Sequence, residues 1–85
     1  MSTPVTAVTV RFFAAAREAF GTRQTTVSAA NLDDLVAVLS TDASAEAVTV
    51  LSRSSFLVNA LARTDRGEAF AEGDTVDVLP PFAGG

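Results

Sequence analysis

The stretch Asn31-Leu32-Asp33-Asp34-Leu35-Val36-Ala37-Val38-Leu39 decides the fold class. Leu32, Leu35, Val36 and Leu39 fall at i, i+3, i+4 and i+7, which puts them on one face of an α-helix. Asn31 is a suitable N-cap, and Asp33 and Asp34 sit in the first turn, where the helix dipole favours negative charge. One strongly amphipathic helix in a short chain needs a sheet to cover, and the flanking residues supply it. Upstream, Val8-Thr9-Val10-Arg11-Phe12 alternates apolar and polar as a half-buried strand does. Ala14 to Phe20 is rich in helix formers and stops at Gly21, a good C′ residue. Gln24-Thr25-Thr26-Val27 reads as a second, β-branched strand.

Downstream, residues 41–53 carry helix-start signals at Thr41-Asp42 and Ser44, against a β-branched Val48-Thr49-Val50. A short helix is expected there. Phe56 to Ala62 reads as one buried strand, followed by the polar turn Thr64-Asp65-Arg66-Gly67. After a turn at Glu72-Gly73-Asp74, Thr75-Val76-Asp77-Val78-Leu79 is the last strand, and Pro80-Pro81 ends its pairing. The order suits an α+β sheet with a helix on one face. The expected organisation is a domain over 1–79 and a flexible tail over 80–85.

Eighty-five residues, 8.7 kDa, make one domain, and 48% hydrophobic against 19% charged residues exclude a disordered chain. There is no Cys, which removes disulfides, thiolate metal sites and thiol nucleophiles. There is no His, the usual general base and commonest metal ligand. The remaining carboxylates, hydroxyls and guanidinium groups do not readily titrate near neutral pH, so a self-contained enzyme is poorly equipped here. The adjacent Asp33 and Asp34 face apart, and Asp74 and Asp77 read as solvated or capping groups. No apolar run is long enough to span a bilayer and no basic leader is visible, so a cytoplasmic location is expected.

The net charge of −4 is uneven. Residues 1–30 hold Arg11, Arg17 and Arg23 against Glu18, a balance of +2, and residues 31–85 carry −6. An acidic chain repels phosphate backbones, which argues against a nucleic-acid partner. All six basic residues are arginine. Without a lysine, no side-chain amine can act as acyl acceptor or form a Schiff base. In any amide-forming system this chain would supply the carboxyl.

The final Pro80-Pro81-Phe82-Ala83-Gly84-Gly85 is suited to that task. The two prolines stiffen the departure from the last strand. Ala83, Gly84 and Gly85 are slim enough to thread a tunnel, and the Gly85 carboxylate has no side chain to shield it. A carboxylate is inert until activated; once adenylated, it loses AMP readily to sulfide or an amine.

The stretch from Phe12-Phe13-Ala14 through Arg17-Glu18 to Gly21 resembles the signature of the small subunit of molybdopterin synthase, the MoaD family. So do Leu57-Val58-Asn59, Gly73-Asp74-Thr75-Val76 and Pro80 to Gly85, in the family's order and over nearly the full length. The resemblance implies a ubiquitin-like β-grasp fold and a sulfur carrier, a non-catalytic subunit whose catalytic partner is the large subunit (MoaE). It implies that a MoeB-type adenylyltransferase uses ATP to adenylate Gly85, that a sulfurtransferase system converts it to a thiocarboxylate, and that the carrier itself binds no cofactor. Gly84 would be the tunnel neighbour of the reacting Gly85. An apolar docking surface would map to Phe13, Ala62 and Leu79, with Pro80, Pro81, Phe82 and Ala83 leading into the partner. Ala62 is smaller than such a contact favours. Carriers serving thiazole, cysteine or tRNA thiolation, and ubiquitin-like protein modifiers, share the tail and the adenylate. An interaction module with an inert tail is the remaining reading.

Overall fold

The computed structural model describes residues 6–81. Along the chain run β1 (Ala7–Phe12), α1 (Ala15–Phe20), β2 (Gln24–Ser28), α2 (Leu32–Ser40), α3 (Ala45–Ser52), β3 (Ser55–Val58), β4 (Leu61–Ala62) and β5 (Thr75–Leu79).

Helix α2 forms as its pattern demands. The Asn31 side chain accepts from the Asp34 amide at 2.8 Å, and Asp34 reaches back to accept from the Ala30 amide at 2.9 Å. One amide of the first turn is thereby satisfied, together with the amide just before the cap. Leu32 and Leu35 are fully buried, and Val36 and Leu39 pack against the core from its margin. In α3 the helical option prevails over the β-branched one. Ser44 caps the Ala47 amide at 3.0 Å, and Ala47 and Leu51, four apart, bury one narrow face. Thr49 satisfies its hydroxyl on the Ala45 carbonyl one turn back. Helix α1 ends at Gly21, which takes φ 72°, and its Phe20 ring stacks on Phe12 at 4.7 Å between centroids.

The strands form one mixed sheet in the order β2-β1-β5-β3-β4. The central pair, β1 and β5, is parallel; the other neighbours are antiparallel. Period-two alternation sends Val8, Val10 and Phe12 of β1, Val76 and Val78 of β5, and Phe56 and Val58 of β3 into the core beneath the helices. Phe70, from the loop before β5, closes that core.

One expected element is different. Phe56 to Ala62 is not a single buried strand: the chain reverses at Asn59 and Ala60, with φ of 51° and 70°, and returns as β4. Two consecutive left-handed residues make the two-residue hairpin whose twist matches the flanking strands. Asn tolerates that region, and here its side chain works as well: it accepts from the Thr75 amide at 3.0 Å and donates to Asp74 at 2.9 Å. Leu61 is therefore 74% exposed on the sheet edge rather than buried.

Asp74 completes this latch by accepting from the Ala71 amide at 2.9 Å. That backbone N–H, and then the Asn59 amide, hold its carboxyl below the usual Asp value. A depressed folded-state pKa contributes stability that is present above the unfolded value and lost as pH falls through the folded one. Asp74→Asn should therefore lower Tm at neutral pH, and the gap to wild type should narrow as pH drops below about 4. Thermal melts across pH measure this; a gap of constant size would refute the linkage.

Candidate functional site: the outer sheet face and the root of the tail

The same alternation that fills the core sets the composition of the opposite, helix-free face. Phe12 pairs with Val78 and both point inward; Leu79, the last residue of β5, projects outward. So does Phe13, just past the end of β1, whose amide donates to the Val78 carbonyl at 3.3 Å and whose ring lies under the outward Arg11 guanidinium. Phe13 and Leu79 are both half-buried. In β3, Leu57 lies opposite Asp77 on one side and Ala62 on the other, and it too is half-buried and outward. Ala62 is exposed on the edge strand. The three expected docking residues, Phe13, Leu79 and Ala62, thus share one face. Leu57, which sits among them, escaped the sequence reading because a continuous buried strand gave it no outward side. The two-to-one alternation of Phe56, Leu57 and Val58 is legible only once the hairpin is placed.

At the centre of this face lies an ion pair. Arg11 Nε donates to Asp77 Oδ1 at 2.8 Å and its Nη2 to Oδ2 at 3.3 Å, a two-point contact across the parallel strands. The Arg11 side chain is 48% exposed, whereas that of Asp77 is only 11% exposed. Asp77 is therefore not the solvated strand residue that alternation alone suggests; it is covered by its partner. The Arg11 guanidinium also lies 5.3 Å from the Phe13 ring centroid, over its face.

Unequal burial makes the pair asymmetric. Arg11→Met strands a covered carboxylate and should cost about 1–3 kcal/mol. The double variant Arg11→Met/Asp77→Val removes both charges and suits a strand, so it should regain most of that loss. Chemical denaturation of the two variants decides this; a double variant less stable than the single would contradict it.

Beta-strand β5 ends at the border of the apolar face. Leu79, paired with Ser55, is its last residue. Pro80 has no N–H to extend the ladder and is buried, while Pro81 is exposed. Phe82, Ala83, Gly84 and Gly85, expected to thread a partner and carry the reacting carboxyl, lie outside the described residues. Arg17 and Glu18 are both exposed on α1. Among the described residues no group of three His, Cys, Asp or Glu side chains could hold a metal ion. Nor is any helix among them long and apolar enough to cross a membrane.

A five-stranded mixed sheet with a parallel central pair and, among the described residues, helices on one face alone defines a ubiquitin-like β-grasp protein. The ThiS family model matches residues 10–85, and the chain belongs to that family, the ubiquitin-like sulfur carriers. Among solved structures it is similar to SAMP1 from Haloferax volcanii, with 27% identity, TM-score 0.76, and coverage of 93% of this chain and 99% of that one. It is also similar to a chain in the complex of subunits 1 and 2 of molybdopterin-converting factor from Helicobacter pylori, with 25% identity, TM-score 0.73, and coverage of 93% and 99%. The small archaeal modifier protein 1 of Methanosarcina acetivorans shares the fold at TM-score 0.80 and 22% identity, over 98% of this chain and 100% of that one. No curated protein matches the sequence.

Proposed function

We propose that the chain is the small subunit of a molybdopterin synthase and carries sulfur as a thiocarboxylate on Gly85. The observation that carries this reading is the junction of the apolar face with the tail. Phe13, Leu57 and Leu79 offer a partner an apolar platform, and the strand bordering it runs directly into Pro80-Pro81-Phe82-Ala83-Gly84-Gly85. A partner seated on the platform lies beside the point where the tail leaves the sheet. The likeness to a chain in the two-subunit converting-factor complex supports a MoaE-like partner.

The chemistry balances without any group on this chain beyond its terminus. A Gly85 carboxylate oxygen attacks the α-phosphorus of ATP on a MoeB-type adenylyltransferase, and pyrophosphate leaves. Sulfide attacks the acyl carbon, AMP leaves and a proton is lost, which gives the thiocarboxylate. Where a sulfurtransferase persulfide is the nucleophile, the acyl disulfide it forms is cleaved to the thiocarboxylate by a thiol that is itself oxidised to a disulfide. In the large subunit the thiocarboxylate sulfur bonds to cyclic pyranopterin monophosphate, and water hydrolyses the resulting thioester, so the sulfur stays on the pterin and the Gly85 carboxylate is regenerated. The chain's own part is to dock and to present one carboxyl with no side chain beside it.

A second reading, a protein modifier, is favoured by the likeness to SAMP1 of Haloferax volcanii. The adenylate is common to both, and the acceptor separates them. Intact mass after incubation with ATP, sulfide and a MoeB-type adenylyltransferase should show one oxygen replaced by sulfur. Only unmodified carboxylate would sink the carrier reading, and conjugates with lysines of other proteins would favour the modifier.

A further inference from the structure

Residues 1–30 hold three arginines and one acid, in a chain that is otherwise strongly acidic. The fold gathers those three arginines. Arg11, Arg17 and Arg23 line a hollow of about 310 Å³ together with Phe12, Phe13 and Gln24. The placement follows from pairing: Gln24 lies opposite Arg11 across β1 and β2, and the Phe12 amide donates to the Arg23 carbonyl at 2.9 Å. Arg17 reaches the same hollow from α1. Among the described residues Arg11 alone of the three has a carboxylate within ion-pair distance; Arg17 and Arg23 have none. A guanidinium has five N–H donors, and Arg11 spends two of them on Asp77, so even the paired arginine keeps donors in reserve.

We infer that this corner is the cationic end of the docking face and binds an acidic segment of a partner protein, with carboxylates on Arg17 and Arg23 and an apolar side chain against Phe13. Two observations select that occupant. Phe13 lines the hollow and also belongs to the apolar face, so a segment crossing from one to the other meets charge and hydrocarbon in turn. A nucleic acid would extend onto a body carrying −6 over residues 31–85 and be repelled there. A protein segment a few residues long stays within the cationic corner. Such complementarity fixes register and speeds encounter more than it adds raw affinity. The inference rests on the outer face being a docking face, as proposed above, and does not involve the tail or its chemistry.

The test is an NMR titration of the full ¹⁵N-labelled chain with a capped pentapeptide of four glutamates around a central phenylalanine. Saturable shifts are expected at the amides of Arg11, Phe13, Arg17 and Arg23. They should be absent with the lysine counterpart and weaken as ionic strength rises from about 0.01 to about 0.15 M. Arg17→Glu/Arg23→Glu should reduce binding at least about tenfold, and Arg17→Gln/Arg23→Gln by a smaller factor. The rest of each spectrum should be unchanged. No shifts, shifts elsewhere, or the same shifts with inorganic phosphate at equal ionic strength would overturn the inference. None of these results depends on whether Gly85 is thiocarboxylated, so a failure here is separable from a failure of the carrier reading.

Discussion

Removing Gly84 and Gly85 is expected to abolish adenylation and sulfur transfer, a loss of more than about 100-fold, while Tm stays at the wild-type value. The two halves of this expectation have separate physical grounds. The core of Val8, Val10, Phe12, Leu32, Leu35, Leu51, Val76 and Val78 lies within residues 6–81, and among the described residues β5 pairing ends at Leu79. Pro80, next in the chain, has no N–H with which to extend that ladder. The chemistry, in contrast, has one carboxyl to work on. Truncation leaves Ala83 terminal, two residues short of the reach and with a methyl group beside the reacting carbon. Gly84→Leu keeps the length and the terminal glycine but adds bulk where a tunnel wall would lie, and should impair sulfur delivery nearly as severely. Single-turnover assays of adenylation and of sulfur transfer, beside thermal melts, read both halves. Full activity of the truncated chain would leave only the inert-tail module standing.

How far the sequence discloses this protein depends on the kind of signal at each place. Helix α2 is legible because its cap, its first-turn acids and its apolar spacing all agree, and each is a local property. Strands β1 and β5 are legible for the same reason: alternation over five or six residues has one structural meaning. The hairpin at Asn59-Ala60 was not legible. Its positive φ values fall on Asn and Ala rather than on glycine, and the apolar run continues through the turn into the exposed Leu61. What holds the turn is distant in sequence, the Asn59 contacts to Asp74 and Thr75 fifteen and sixteen residues on. The same limit hides Asp77, whose covered state depends on a strand partner sixty-six residues away. At the candidate site, Phe13, Ala62 and Leu79 came from a resemblance and share a face, but Leu57 needed the register. The arginine corner shows in the sequence only as a charge imbalance; that it is one place in space follows from the β1–β2 pairing.

Leu57 is the residue whose substitution should most weaken docking without touching the tail. It lies between Asp77 and Ala62 in the sheet, half-buried, so its outward surface is apolar and already partly desolvated. Interface energy concentrates in such central, well-packed positions, where truncation commonly costs 2 kcal/mol or more, about 30-fold in affinity. Leu57→Gln should therefore weaken binding to the adenylyltransferase or to the large subunit by about 10- to 30-fold. Fold loss is an unsuitable explanation for such an effect, because the side chain faces away from the core that Phe56 and Val58 fill. Val38 supplies the matched control. It is an apolar side chain 39% exposed on α2, across the sheet from the proposed platform. Val38→Gln removes exposed hydrocarbon in the same way and should leave affinity unchanged. Isothermal titration of the three proteins against one partner compares them directly. Equal losses in both variants would mean that the partner covers the helical side, and unchanged affinity in Leu57→Gln would remove the outer sheet face as the docking platform.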